Sequence, residues 1–315
     1  MTLFFLHFEQ GWLNVDYNYF LVRSPAFYIV VGWLWGLSTN RRNIKEHWKK
    51  RVQGLVKPYI YFSLIFITFD LITVALQLKE PFVLYRDIYK TICLRGIGTL
   101  WFLPALLGGE ITFLYLRAKR WYIKVLSTIS VFILLCLIWR DIFENDIYNA
   151  PIKVIKESGL AYLFISVAYF ISRRWGKHIL SINKTYLFAI GALLLTICFT
   201  YTNFYKFHNF FNINIAISYI FSSSIAGLGI LFLFTSIENF KILSKPLVYC
   251  GKNSLTIMSI HFGLLFELTR IIDKHVFAYE NYYGERTIVY FLIAVVLQIL
   301  IIEFINKKVP FIIGK

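Results

Sequence analysis

Charge is what this sequence has least of. Only 16% of its 315 residues are Asp, Glu, Lys or Arg, against about a quarter in soluble domains, which leaves too few charged side chains to clothe a water-facing surface. Acidic residues are the scarcer kind, 17 against 33 Lys and Arg. The four cysteines, Cys93, Cys136, Cys198 and Cys250, show no CxxC or CxxH spacing and lie in or beside apolar blocks. They read as small buried hydrophobes, which argues against a disulfide framework or a metal site. No fixed short repeat and no low-complexity linker interrupts the chain, so one domain over 1–315 is expected. The opening MTLFFLHF lacks both a basic n-region and a small-residue cleavage site, so a cleavable signal peptide is not expected.

What the chain has instead is apolar surface. It is 58% hydrophobic and 19% aromatic, with a mean hydropathy of +0.63. The apolar residues come in blocks of roughly twenty, the length that crosses about 30 Å of hydrocarbon as a helix. Nine spans are expected, near 21–39, 58–78, 98–116, 122–139, 157–172, 185–202, 214–237, 254–272 and 287–305. The fragment TLFFLHF before them reads as the outer end of a further span. The fold class is therefore all-α, a polytopic membrane bundle of about ten transmembrane helices, the first of them truncated.

The net charge of +16 does not point to nucleic acid, because the cations sit in short clusters between apolar blocks rather than along one soluble face. The alternate loops NRRNIKEHWKKRVQGLVK, RAKRWYIK, SRRWGKHILSINK, ENFKILSK with CGK, and the tail NKKVPFIIGK carry 7, 4, 4, 3 and 3 of the 33 Lys and Arg. The opposite loops hold most of the Asp and Glu. By the positive-inside rule the basic loops and the C-terminus face the cytoplasm, in a cell (inner) membrane.

Against that background, ionisable groups at membrane depth stand out, since each costs about 2.5–3.5 kcal/mol at a span centre unless it faces a cavity or a partner. Asp70 lies alone among Phe, Ile and Leu, as a structural or acceptor-side group. Glu267, Arg270, Asp273 and Lys274 follow helical spacing and read as a salt-bridge stripe. His261, in the apolar run LTIMSIHFGLL, lies roughly 10 Å from the start of its span, and Glu110 roughly 9 Å from the inner end of its own, at about 1.5 Å per residue. They are expected to share a layer and to face a cavity. The structural alternatives are an imidazole bonded to a carbonyl and an acid capping a neighbour.

Two further stretches carry chemistry. The segment RRNIKEHWKKRVQGLVKP, 41–58, clusters seven cations, among them Arg41, Arg42, Lys50, Arg51 and Lys57, directly before a span. It suits anionic lipid head groups or a polyanionic ligand, since guanidinium forks match phosphate. In GTLWFLPALLGGE, 98–110, Gly and Pro favour kinks and close packing, and Trp101 is either a belt residue or a platform for a sugar ring.

Several stretches together resemble the integral-membrane acyltransferase 3 family, which O-acylates cell-surface saccharides. They are His7 followed by SPAFYIVVGWLWG, the basic WKKRVQGLVKPY, GTLWFLPALL, and YCGKNSLTIMSIHFGLL, in the family's order and over essentially the whole chain. The resemblance implies transfer of an acyl group, most often acetyl, from acyl-CoA as co-substrate to a saccharide or lipid-linked saccharide hydroxyl, with no permanently bound cofactor. It makes His7 the catalytic base. In the family a basic residue stands eleven positions before that His, a place this sequence does not reach. The basic loop often carries an Arg-x-x-Arg pair; here Arg51 fits the first position and Gly54 stands at the second. With this reading His7, Glu110 and His261 are the expected catalytic set. Arg41, Arg42, Lys50, Arg51 and Lys57 hold acyl-CoA, and Trp101 the acceptor. A transporter or flippase for a lipid-linked saccharide fits the same topology, although no duplicated half is detectable.

Overall fold

The computed structural model describes residues 18–38, 44–138, 149–206, 212–237, 241–276 and 286–314. Among these residues every regular element is helical. In chain order they are α1 (Asn18–Leu37), α2 (Ile44–Ala75), α3 (Pro81–Ile92), a 3-10 turn (Gly98–Trp101), α4 (Phe102–Arg117), α5 (Trp121–Ile138) and α6 (Ala150–Ser181). They continue with α7 (Lys184–Lys206), α8 (Asn212–Ile237), α9 (Lys241–Lys252), α10 (Ser254–Ile260), a π-helical turn (His261–Phe266), α11 (Glu267–Val276), α12 (Arg286–Lys308) and a closing 3-10 turn (Pro310–Ile313). Among the described residues, 6 helices are long and apolar enough to cross a membrane: Trp48–Ala75, Gly98–Arg117, Trp121–Ile138, Ala150–Ser181, Ile217–Ile237 and Val289–Lys308. Shorter apolar helices cover Pro25–Leu37, Lys184–Thr200 and Ser254–Thr269, where further spans are expected from the sequence.

The chain forms two compact units. The second comprises residues 17–47 and 105–246, hence α1, most of α4, and α5 to α8. Its centre is the pairing of α1 with α6 and of α7 with α8, with α1 also packed on α8. In lipid the apolar effect does not drive helices together, so close backbone approach must supply the packing. Gly32 and Gly36, one turn apart on α1, provide it. A Cβ built on Gly32 would lie 2.2 Å from the Ile165 carbonyl oxygen, and one on Gly36 1.8 Å from Ser172 Oγ. The approach lets Ser172 Oγ donate to the Trp33 carbonyl at 2.8 Å. Gly191 and Gly229 play the same part between α7 and α8.

The first unit comprises the described residues within 48–104 and 247–314. Within it the π-turn packs against α10, α11 and α12, and the Gly98–Trp101 turn packs against α10 and the π-turn. Gly96 makes that last placement possible. It takes φ +69°, and a Cβ there would lie 2.8 Å from the backbone of Leu100 and Trp101. The C-terminal turn folds back onto α2: Tyr61 and Phe311 meet edge to face with centroids 5.4 Å apart, and Gly314 sits against the Gln53–Gly54 backbone.

Candidate active site

The run that places His261 among apolar residues folds as an interrupted helix. α10 ends at Ile260 and the next six residues form a π-turn. His261 marks the break. Its backbone N–H donates to the Ile257 carbonyl, and its ring Nδ1 lies 2.8 Å from the same oxygen. A side chain that enters the i→i−4 ladder in this way shares one carbonyl between two donors and loosens the turn that follows. Because a carbonyl only accepts, the neutral ring carries its proton on Nδ1, which gives Nε2 the basic lone pair. The ring is buried, 4% exposed.

The first unit holds further polar groups on the elements that flank this turn. Thr256 and Ser259 are buried on α10, and Thr99 Oγ1 donates to the Met258 carbonyl, joining the Gly98–Trp101 turn to the same helix. Toward the start of α10, Asn306 Nδ2 donates to Asn253 Oδ1 at 2.9 Å and Tyr249 Oη donates to Glu303 Oε1 at 3.2 Å. Burial, and then the Glu303 carboxylate, push the Tyr249 hydroxyl above its usual range, so it remains a donor at neutral pH. Trp101 stands on the 3-10 turn with the Arg95 guanidinium 5.3 Å from its ring centroid, a cation–π contact.

The basic segment opens α2 in the same unit. Lys50 and Lys57 are exposed and Arg51 is half-buried; Arg41 and Arg42 lie outside the described residues, as does His7. Lys50 and Lys57 stand two turns apart on one face, with Gly54 between them. A Cβ at Gly54 would meet nothing within 4 Å, so a side chain there has room even though Gly314 packs against the Gln53–Gly54 backbone.

Farther along α2 the isolated acid finds its cation. Lys79 Nζ lies 2.8 Å from Asp70 Oδ1 and 3.7 Å from Glu267 Oε2. On α3, Arg86 Nε donates to Asp87 Oδ1 at 2.8 Å. That bond holds the guanidinium above its ordinary pKa. Lys79 lies in the loop after α2 and Asp87 on the short helix α3, outside the spans expected from the sequence. The spacing of Asp87, Lys90 and Tyr89 on a 12-residue amphipathic helix was the available signal. Glu267 joins this cluster, while the side chains of Arg270, Asp273 and Lys274 lie outside the described residues.

Glu110 belongs to the second unit. It is 1% exposed, and Trp35 Nε1 donates to its Oε1 at 3.0 Å. Gly108 and Gly109 bring this turn of α4 against Ser158 and Ala161 of α6. Glu110, Phe113 and Arg117 then follow one helical stripe. Phe113 meets Tyr169 edge to face at 5.0 Å, and the Arg117 guanidinium lies 5.3 Å from both the Trp35 and Tyr169 rings. Trp35 and Arg117 are functional candidates that sequence reading missed. The i+7 step from Glu110 to Arg117 was legible, but the rings that bracket the cation come from α1 and α6.

Fold and buried groups define the class: a multi-pass helical membrane protein with ionisable side chains such as Asp70, Glu110 and His261 buried among its helices. Its family follows from the sequence match. The acyltransferase 3 family model, an acyltransferase domain, matches residues 2–304, and the chain belongs to that family; it is an acyltransferase. Among curated proteins and among solved structures, none matches it.

Proposed function

We propose that this membrane acyltransferase moves an acetyl group from acetyl-CoA to a hydroxyl of a cell-envelope or exported saccharide, from an inner membrane in which its basic loops and C-terminus face the cytoplasm. The observation that supports it best is the His261 ring: a buried imidazole whose Nδ1–H is committed to the Ile257 carbonyl, on a distorted turn, in the unit that also carries Lys50, Arg51 and Lys57. In this reading those three cations, with Arg41 and Arg42, hold the phosphates of CoA, and Trp101 offers its ring to the sugar.

The reaction needs a base, an oxyanion donor and exclusion of water. As the acceptor oxygen attacks the thioester carbonyl carbon, His7 takes the hydroxyl proton. The tetrahedral oxyanion collapses, the C–S bond breaks, and the CoA thiolate leaves and recovers the proton. His261 and Glu110 orient or polarise the reactants. Apolar walls keep water from competing for the thioester. A correctly placed donor to the oxyanion contributes about 3–4 kcal/mol.

The test is release of free CoA from labelled acetyl-CoA by protein in nanodiscs, dependent on a saccharide acceptor. His7→Ala is expected to abolish it at unchanged protein level, and His261→Ala to reduce it by about 10²–10⁴-fold, the range of an acid–base group. Turnover surviving His7→Ala would remove that residue as base. No CoA release from the wild type with any saccharide, alongside uptake of lipid-linked saccharide, would favour a transporter.

A further inference from the structure

The buried face of α12 contains a polar side chain that the acyl-transfer reading leaves unused. Tyr290, Ala294, Gln298, Ile302 and Ile305 form its buried stripe, while Val289, Leu292, Val296, Leu300 and Phe304 point outward. The stripe faces α10 and the π-turn. Its level is fixed by the Asn306–Asn253 bond. Since α12 also packs along α10 and the π-turn, the residues that follow Asn253 lie beside those that precede Asn306. Eight residues on from this pair in each direction are His261 and Gln298, both about 12 Å away at 1.5 Å per residue.

Gln298 is 5% exposed. Neither its Nε2 nor its Oε1 has a hydrogen-bond partner among the described residues. A buried amide in that condition is unfavourable for folding, and native proteins retain few of them. The group is planar, with one acceptor and two donors side by side. The ligand that answers both ends at once is a second amide, its carbonyl on Nε2–H and its N–H on Oε1.

We infer that Gln298 binds an amide of the pantetheine arm of acyl-CoA. This rests on the acyl-CoA reading and deepens it. The arm carries its two amides between the nucleotide phosphates and the thioester. A donor whose phosphates sit on Lys50, Arg51 and Lys57 presents these amides on its way to the level of His261. All of these residues belong to one unit.

Gln298→Leu tests the assignment in nanodiscs, with acetyl-CoA as the probe. Leucine keeps the volume and removes both polar atoms. The KM for acetyl-CoA should rise about tenfold, the loss of one good hydrogen-bonded pair, while the KM for the saccharide acceptor stays within twofold. The upward Tm shift that acetyl-CoA gives the wild type should shrink, and the ligand-free Tm should match or exceed that of the wild type. An unchanged acetyl-CoA KM, an effect confined to the acceptor KM, or a ligand-free Tm several degrees lower would each overturn the assignment, the last by showing that the amide is satisfied within the fold. If the wild type neither binds nor turns over acetyl-CoA, the acyl-CoA reading falls and takes this inference with it. Should the wild type turn over and Gln298→Leu behave identically, only the inference falls.

Discussion

Lys79→Met isolates a buried ion pair of the first unit. Lys79 Nζ and Asp70 Oδ1 are 2.8 Å apart, with side-chain exposures of 9% and 4%, and Glu267 lies 3.7 Å from the same ammonium. Methionine keeps the length of the lysine stem and deletes the charge, leaving the Asp70 carboxylate buried without its cation. One-sided removal of a buried partner costs about 3–5 kcal/mol, mostly the desolvation of the charge left behind. Each kcal/mol lowers Tm by about 2–4 °C in domains somewhat smaller than this chain, so a fall of about 6–20 °C is expected. Unfolding in detergent is commonly irreversible, so the apparent Tm must be compared at one heating rate. The double variant Asp70→Leu/Lys79→Met removes both charges and should recover most of the loss, since apolar replacement of a buried pair is often close to neutral. If Lys79→Met melts within 2 °C of the wild type, or the double variant is worse than either single one, the pair does not hold this end of α2.

Two further outcomes follow from named contacts. Gly54→Arg introduces the second guanidinium of an Arg-x-x-Arg pair where a Cβ meets nothing within 4 Å. It should lower the acetyl-CoA KM severalfold and raise helix stability by about 1 kcal/mol; an unchanged KM in a stabilised protein would move the phosphate site elsewhere. Trp35→Phe keeps the ring but removes the N–H that Glu110 accepts at 3.0 Å. Leaving a buried acceptor short of a donor costs about 1–3 kcal/mol, read as a lower Tm, and a shifted carboxylate should lower kcat as well. A lower Tm with unchanged kcat would leave Glu110 a structural acceptor.

How much of the site was legible varies residue by residue, for a physical reason. His261 and Glu110 announce themselves because ionisable groups in apolar runs are costly wherever they point. The bonds they make are different in kind. The His261 partner is Ile257, four residues away on the same helix, and the sequence allows such a bond without requiring it. The Glu110 partner is Trp35, 75 residues away, an aromatic that nothing in the sequence ties to it. Gln298 gives no such signal, because a lone neutral amide in a span is unremarkable until its burial and its neighbours are known.

Composition and the length of the apolar blocks are enough to set the environment and the helices. A shortage of charge and apolar blocks about one bilayer long leave the backbone no way to satisfy its polar groups except within each segment. Ordered motifs along the chain likewise carried the family. Packing settles which buried groups meet: that Lys79 reaches Asp70, that Arg117 lies against the Trp35 and Tyr169 rings, that α10 yields to a π-turn at His261. Pairing of side chains across helices depends on rotation and close approach, set at α1 and α6 by Gly32 and Gly36, and neither quantity is encoded in the hydropathy of one span.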